Sequence, residues 1–296
     1  MSSAQQAPLK NFKPKHSFLI GIDSDGCVFD TMELKHKECF IPNIIKYWGL
    51  QSVSKYAREA AEFVNLYSKW RGINRFPALV MVFDLLRERP EVKKRKVPIP
   101  VVSSLNTYIN SSTSLSNSAL KTYLEKNNDE TLQQVLKWSE AVNHDIAEMV
   151  VGVPPFPFVK KSLERLHIVA DIIVISATPT EALQREWEEH DIANYTAVIA
   201  GQEIGSKKEL IQLASAGRYE KNHVLVVGDA PGDLKAAKAN YALFYPINPG
   251  QEEQSWERFY KEVLEKFISV KYAGSYEDKL IEEFQKLLPA TPPWFN

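Results

Sequence analysis

The apolar residues of this chain follow two different spacing patterns. Five short runs, rich in β-branched residues, lack polar alternation, which is typical of parallel strands buried on both faces. These runs predict strands at Phe18–Ile22, 171–176, 197–200, 224–227 and 242–245. Helical periodicity around the last four runs and in the C-terminal tail predicts helices at 159–166, 180–189, 207–214, 232–239, 256–267 and 276–288. The alternation of strand and helix predicts an α/β fold with a Rossmann-like, doubly wound parallel sheet.

The segment between the first two predicted strands shows only helical periodicity. From residue 32 to 151, apolar residues recur at spacings of three and four, and a Gly and Pro-rich segment follows. We therefore expect an inserted α-helical domain at 32–151, and an α/β core formed by 1–31 and 152–296. Within the inserted domain, the stretch 90–128 is rich in Pro, Ser and Asn. We interpret this stretch as an insertion that carries one or two short helices.

Composition narrows the class of protein. With 296 residues, 44% hydrophobic residues and a net charge of -1, the chain is typical of a globular protein with two domains. This charge balance gives no reason to expect nucleic acid or a membrane as a partner, and the basic run at 93–96 is interpreted as a solvated loop. The two cysteines, Cys27 and Cys39, do not suggest a disulfide framework. This cysteine usage fits a reducing cytoplasm, and the polar segment 1–16 lacks the apolar core of a signal peptide or anchor, so we expect a soluble, cytoplasmic protein. We expect it to be a monomer or a homodimer.

Polar residues gather where the predicted strands end. The residues that follow a strand or begin the next helix are Asp23, Asp25, Ser176, Lys207, Asp229 and Asp233. Open parallel sheets bind their ligands at the carboxyl ends of the strands, so these side chains are expected to lie together. Four carboxylates at one edge would repel one another without a cation. The pattern predicts a site that holds a cation and transfers protons.

Each of these residues also has a purely structural interpretation. Ser176 or Thr178 can cap the helix that follows, and Asp229 can be a turn residue. Lys207 and Lys208 can be exposed lysines, although a cation at a helix N-terminus is unfavourable unless an anion lies nearby. The coincidence of four patterns in one chain favours the functional interpretation.

Taken in order, the motifs resemble those of the haloacid dehalogenase (HAD) superfamily, among its phosphoglycolate phosphatase and β-phosphoglucomutase-like members. Asp23-Ser24-Asp25-Gly26, followed by Asp30-Thr31, is similar to the first motif. The other motifs are matched by Ser176-Ala177-Thr178, by Lys207 in GSKKEL, and by the stretch from Gly228 to Asp233. The resemblance implies an Mg-dependent hydrolase whose helical insert is a C1-type cap that closes over the core.

The resemblance also implies a role for each matching residue. Asp23 would attack phosphorus and form an aspartyl-phosphate, and Asp25 would act first as general acid and then as general base. Ser176 and Lys207 would stabilise charge on the phosphoryl oxygens, with Lys208 as the alternative lysine. The implied ligands of Mg²⁺ are Asp23, Asp25 through its backbone carbonyl, Asp229 and Asp233.

A loop between two predicted helices of the insert bears on the substrate. The segment from Trp70 to Arg75 resembles the Gly-x-x-Arg specificity loop of β-phosphoglucomutase-like members, with Arg75 at the aligned position and Arg71 beside it. Two arginines suit bidentate contact with a carboxylate or a second phosphate, although a solvated loop would account for them equally well. Thr178, in the second motif, is also assigned to substrate binding.

The expected function is that of a phosphoric monoester hydrolase, an Mg-dependent phosphatase that acts on a small anionic metabolite. A mutase of the β-phosphoglucomutase type would retain every catalytic residue and stays an alternative, as does a catalytically silent binding or scaffold protein. Dehalogenases need neither Asp25 nor a metal cluster. Phosphonoacetaldehyde hydrolases typically have a small residue at the position of Asp25, so both of these activities are disfavoured.

Overall fold

The computed structural model of the protein describes residues 6–112 and 114–295, so the first five residues of the polar N-terminal segment lie outside it. The chain divides into two compact units. One unit runs to Met32 and resumes over Gly152–Leu287, and the other comprises Glu33–Val151 with the segment from Leu288. This division differs from the expected one at the C-terminus, because the segment from Leu288 groups with the helical unit.

The first unit contains a five-stranded, fully parallel sheet. Its strands are β1 (Phe18–Ile22), β2 (Ala170–Ile175), β3 (Val198–Ala200), β4 (Val224–Gly228) and β5 (Leu243–Pro246). Their order across the sheet is β3-β2-β1-β4-β5, so β1 is central and lies between β2 and β4. In the register, Ile22 pairs with Val174 on one side and with Val227 on the other. The predicted α/β fold with a Rossmann-like parallel sheet is confirmed.

Helices flank this sheet and shield it from solvent. Nearly every side chain of β1, β2, β4 and β5 is buried, which explains why these strands lack polar alternation. The helices of this unit are Ala7–Lys10, Val159–Leu166, Thr180–Glu189, Lys207–Ser215, Pro231–Ala239, Glu252–Arg258, Leu264–Ile268 and Ser275–Leu287, with a π-helical turn at Phe259–Val263 and a 3-10 turn at Ala193–Tyr195. A short helix, Thr31–Leu34, follows the loop after β1.

The C-terminal helices of the first unit are part of its core. Trp256 is fully buried, and its indole Nε1 donates a hydrogen bond to the carbonyl of Cys27 at 2.7 Å. The hydroxyl of Tyr272, also fully buried, donates to the carbonyl of Phe244 at 2.7 Å. The C-terminal helices and the turn that carries Tyr272 therefore contact both β5 and the loop that follows β1.

The second unit is helical. Its helices are Ile41–Tyr47, Ser54–Asn65, Arg75–Glu88, Pro90–Arg95, Ser103–Ser111, Asn117–Leu124 and Glu130–Met149, with a π-helical segment at Lys35–Phe40 and 3-10 turns at Gln51–Val53 and Pro293–Phe295. The longest helix among the described residues, Glu130–Met149, is capped at its start by Asp129, whose side chain accepts a hydrogen bond from the Leu132 N–H at 2.8 Å. The interpretation of 93–96 as a loop is wrong. Residues 93–95 complete the helix Pro90–Arg95, and the chain leaves it through the left-handed backbone of Lys96.

The core of the helical unit is largely aliphatic, with several buried aromatic side chains packed among the Ile, Leu, Val and Ala residues. Trp138 is fully buried and packs edge-on against Phe40 and Trp48. The C-terminal Trp294 packs edge-on against Phe63 and lies over the guanidinium of Arg89 at 4.3 Å. Contacts of this kind explain why the C-terminal segment groups with this unit. Among the described residues, no helix has the length and apolar character needed to cross a membrane.

We expect Trp256→Phe to lower the free energy of unfolding by about 1–3 kcal/mol, because it leaves the Cys27 carbonyl without its buried indole donor. Trp138→Phe is the matched control, since Trp138 Nε1 is buried and has no acceptor among the described residues. This control loses packing but no hydrogen bond, so its loss should be smaller. Urea unfolding followed by circular dichroism measures both changes, and equal losses would contradict the role of the indole hydrogen bond.

Candidate active site

Three neighbouring strands end at the same edge of the sheet, and each is followed by a polar side chain. The N–H of Asp23 continues the ladder from β1 to β4 by donating to the Val227 carbonyl at 3.0 Å. The N–H of Ser176 continues the ladder from β2 to β3 by donating to the Ala200 carbonyl at 3.1 Å. Asp229 follows β4 directly. Because β1 lies between β2 and β4, Asp23 is placed between the other two side chains.

The carboxylates of Asp23, Asp229 and Asp233 form a buried acidic cluster. Each offers an oxygen, and these oxygens all lie within 4.8 Å of one another. The three residues are at most 5% exposed. Asp233 comes from the helix Pro231–Ala239, and its Oδ2 accepts a hydrogen bond from the Ala230 N–H at 3.0 Å. Three buried like charges at this separation require positive charge close by.

Lys207 supplies part of that charge. Its Nζ lies 2.5 Å from Asp23 Oδ2 and 2.5 Å from Asp233 Oδ1, and so bridges two of the three carboxylates. The lysine is the first residue of the helix Lys207–Ser215, which Ser206 and Glu209 cap reciprocally. Lys208, the alternative lysine, is exposed. The structure therefore brings Lys207, and not Lys208, to the acidic cluster.

Burial and neighbouring charges act in opposite directions on two groups of this cluster. Burial, together with the carboxylates of Asp233 and Asp229, raises the pKa of Asp23 well above its usual value, although Lys207 opposes the shift. Burial disfavours the charged form of Lys207, but the adjacent Asp23 and Asp233 outweigh it and raise the pKa of Lys207. The ammonium group thus stays charged, yet one lysine does not fully compensate three carboxylates. Further positive charge would favour the ionised form of Asp23.

The ligand atoms and the charge of the cluster indicate whether a divalent cation fits the site. The donor set consists of carboxylate oxygens on Asp23, Asp229 and Asp233, which are hard ligands of the kind that Mg²⁺ prefers. Burial, with the neighbouring carboxylates, raises the pKa of Asp23, and a cation bound beside it would lower that pKa again. The residues present therefore fit a divalent cation such as Mg²⁺.

Asp25, two residues after Asp23, is held by two threonine hydroxyls. Thr178 Oγ1 donates to Asp25 Oδ2 at 2.6 Å, and Thr31 Oγ1 donates to Asp25 Oδ1. Thr178 was expected to bind substrate, and here its hydroxyl contacts Asp25. The sequence indicated Thr31 only as part of the first motif or as a helix cap, since a contact between side chains is not visible in a single sequence.

Ser176 is buried, and its Oγ accepts a hydrogen bond from the Thr178 N–H at 3.2 Å. The helix Thr180–Glu189 has Pro179 at its N-cap, with no capping bond from a side chain. The structural interpretation of Ser176 and Thr178 as helix caps is therefore wrong. Ser176 stays a candidate for contact with a phosphoryl oxygen.

Arg71 and Arg75 lie in the helical unit, and both have partners there. Arg71 is 2% exposed and donates to the Leu66 carbonyl at 2.9 Å. Arg75 donates to Ser139 Oγ at 2.9 Å and to Asn143 Oδ1 at 2.8 Å. Burial lowers the pKa of Arg75 to about 10, so its guanidinium is still charged at neutral pH. These contacts favour a structural role for both arginines, and their contact with substrate stays a prediction.

Two glycines make room for the site, and only one of them, Gly228, lies in a motif that the sequence showed. A Cβ at Gly228 would lie 2.5 Å from Asp233 Cβ and 2.6 Å from Asp233 Oδ2. A Cβ at Gly201 would lie 2.5 Å from the Thr178 carbonyl oxygen and 2.4 Å from the Thr180 nitrogen. Only glycine lets these chains approach so closely. The sequence shows each glycine at or just after the end of a strand. Whether a side chain would fit there depends on a segment that is distant in the sequence.

The structure thus combines an open parallel α/β sheet, a fold that binds its ligands at the carboxyl ends of the strands, with a buried cluster of three carboxylates and one lysine at that edge. Residues 92–245, more than half of the chain, match the family model described as haloacid dehalogenase-like hydrolase. The chain therefore belongs to the haloacid dehalogenase-like hydrolases, which confirms the predicted family and the prediction of an enzyme. The matched region includes Ser176, Lys207, Asp229 and Asp233 but not β1, so Asp23 and Asp25 are assigned from the sequence motif and the geometry. No curated protein matches the chain.

Solved structures with a similar fold include a haloacid dehalogenase-like hydrolase from Streptococcus pneumoniae, which is 17% identical, with 84% of this chain and 98% of that chain covered and a TM-score of 0.44. A predicted phosphatase from Clostridium acetobutylicum is 14% identical, with 85% and 100% covered and a TM-score of 0.44. A predicted phosphoglycolate phosphatase from Haemophilus somnus is 14% identical, with 78% and 86% covered and a TM-score of 0.43. The family assignment rests on the family model alone.

We expect Gly228→Ala to displace the Asp233 carboxylate, because the added methyl group would overlap it. The overlap should cost about 1–3 kcal/mol of unfolding free energy. Gly232→Ala is the matched control, since a Cβ there meets nothing within 4 Å and should be neutral or stabilise by up to about 1 kcal/mol. Urea unfolding compares the two variants, and an unchanged stability of Gly228→Ala would contradict the close approach.

Proposed function

We propose that this protein is an Mg²⁺-dependent phosphatase that hydrolyses a small anionic phosphomonoester through an aspartyl-phosphate on Asp23. The observation that carries the proposal is the pairing of Asp23 with Lys207 Nζ at 2.5 Å inside the buried acidic cluster. A carboxylate held in this way is fixed in direction and has positive charge beside it, as a nucleophile that attacks an anionic phosphoryl group requires.

In the first step, an Asp23 carboxylate oxygen attacks phosphorus in line with the bond to the leaving oxygen. The new O–P bond forms as the bond to the leaving group breaks, and Asp25 donates a proton to the leaving oxygen. In the second step, Asp25 takes a proton from water, which attacks the phosphorus and releases inorganic phosphate. Asp23 is regenerated as a carboxylate and Asp25 as an acid, so the cycle balances.

The remaining residues stabilise charge. Lys207 and the buried Ser176 hydroxyl are proposed to contact the oxygens of the transferring phosphoryl group, where negative charge accumulates. Asp23, Asp229 and Asp233, with the backbone carbonyl of Asp25, would hold Mg²⁺. When bound, Mg²⁺ would supply positive charge to a phosphoryl oxygen and favour the ionised form of Asp23.

The choice of substrate is assigned to the helical unit. We propose that residues 32–151 form the cap that reads the leaving group, as the resemblance implies, with Arg71 and Arg75 as its candidate anion contacts. Both guanidinium groups carry hydrogen bonds within that unit, so one of these contacts would have to be exchanged for a substrate oxygen. A mutase would use the same core residues, and isomerisation of glucose 1-phosphate tests for it directly.

We expect Asp23→Asn to lower kcat by about 10³-fold or more, because an amide is not a nucleophile toward phosphorus. Release of phosphate from 4-nitrophenyl phosphate and from a panel of phosphorylated metabolites, with Mg²⁺ or with EDTA, measures the loss. Asp278→Asn makes the same chemical change at an exposed position and should leave kcat unchanged. Appreciable turnover by Asp23→Asn, or full wild-type activity in EDTA, would contradict the proposed mechanism.

We also expect Mg²⁺ to stabilise the protein, by about 2.7 kcal/mol at a concentration a hundred times its Kd. The raised pKa of Asp23 in the folded state means that its contribution to stability is present in acid and is lost as the pH rises through that pKa. Mg²⁺ needs the ionised carboxylate, so its stabilising effect should grow with pH.

Thermal unfolding with and without Mg²⁺ at pH 5 and pH 8, with KCl at matched ionic strength, measures this dependence. In Asp229→Asn one charged ligand is lost, and the Mg²⁺-dependent rise in Tm should shrink. A rise that is equal at both pH values, or that KCl reproduces, would argue against a specific divalent site.

A further inference from the structure

Both oxygens of the Asp25 carboxyl group accept a hydrogen bond from a threonine hydroxyl. Thr178, in the loop after β2, donates to Oδ2 at 2.6 Å, and Thr31, at the start of the helix Thr31–Leu34, donates to Oδ1. The two hydroxyls come from segments far apart in the chain. A carboxyl group rotates readily about its terminal bond, so contacts on both oxygens fix its plane as well as its position.

Hydroxyl groups suit a residue that alternates between acid and base. A threonine hydroxyl has one donor and two acceptor sites, so it can donate to a carboxylate or accept from a carboxylic acid. A lysine or arginine in the same place would be only a donor and would favour the ionised form. The two threonines can therefore keep Asp25 in one orientation through both halves of a catalytic cycle.

The backbone holds Thr178 in place for this contact. Its N–H donates to Ser176 Oγ at 3.2 Å, and its carbonyl accepts from the Gln202 N–H at 3.2 Å. The close approach of Gly201 to the Thr178 carbonyl depends on the absence of a side chain at that position. Thr31 is fully buried. We therefore expect it to affect a reaction at the site through its hydrogen bond to Asp25.

We propose that Thr31 and Thr178 are positioning residues for Asp25, which direct its carboxyl group so that it can protonate the leaving oxygen. This inference rests on the proposed phosphatase function. It replaces substrate binding as the role of Thr178. It also gives Thr31, whose side chain is fully buried, an indirect role in the reaction.

The effect of a misdirected general acid depends on the leaving group. 4-Nitrophenolate leaves without a proton, whereas phenolate and alkoxides with higher pKa values depend increasingly on one. Because kcat/KM reports steps up to formation of the aspartyl-phosphate, it isolates the acid role of Asp25 from its later role as base. A merely structural defect would lower kcat/KM for all substrates by the same factor.

The test measures kcat/KM for a series of substituted phenyl phosphates of similar shape. Variants Thr178→Val and Thr31→Val remove each hydroxyl at nearly constant volume, and Asp25→Asn is the reference for loss of the acid. We expect both valine variants to lose about 10²-fold on the poorest leaving group and less than about threefold on 4-nitrophenyl phosphate. The plot of log kcat/KM against leaving-group pKa should become steeper, as it does in Asp25→Asn, and Thr178→Ser should restore the wild-type slope.

Two controls separate this role from a loop defect. Thr180→Val makes the same change at the start of the helix that follows this loop, where the Thr180 hydroxyl accepts from the Gly201 N–H at 3.0 Å, and should leave the slope unchanged. In an Asp25→Asn background, Thr178→Val should have no further effect on the slope. Valine variants with a wild-type slope, or with higher activity than wild type, would overturn the inference while the phosphatase function stood. A wild-type protein that releases no phosphate would overturn the proposed function and this inference together.

Discussion

Repulsion among three buried carboxylates is the constraint on which the rest of this site depends. Asp23, Asp229 and Asp233 lie close enough to share one cation, and burial makes their mutual repulsion more costly than it would be in water. Lys207 compensates part of it by bridging Asp23 and Asp233. An arrangement that costs stability in this way persists when its charge is needed for chemistry, and a divalent cation would complete the balance.

The architecture of the first unit holds this cluster in place. A central strand with a parallel neighbour on each side brings three chain segments to one edge, which no local sequence could do. The small volume of Gly228 then admits the Asp233 carboxylate, and Gly201 admits the loop that carries Thr178. On the far side of the first motif, the buried Trp256 secures the Cys27 carbonyl. The C-terminal helices thus contribute to the order of the loop between β1 and the helical unit.

The helical unit is organised by a different set of interactions. Its core combines aliphatic side chains with buried aromatic rings. Arg75 is held there by Ser139, Asn143 and the ring of Phe40. Such contacts satisfy a buried guanidinium and restrict its freedom. A charged group held in this way can also be a preorganised anion contact, at the cost of exchanging one partner.

The sequence by itself determined the strands, most helices and the family motifs, because burial on both faces and helical periodicity are local patterns that a single chain displays. It singled out Asp23, Asp25 and Asp229 as candidates because carboxylates after buried strands are costly unless they are used, and it left the lysine open between Lys207 and Lys208. Only the tertiary structure decided that Lys207 rather than Lys208 reaches the cluster, and that Thr178 and Thr31 contact Asp25. It also decided that the C-terminal segment groups with the helical unit. These features depend on which side chains meet across distant segments, and that is fixed by packing in three dimensions rather than by spacing along the chain.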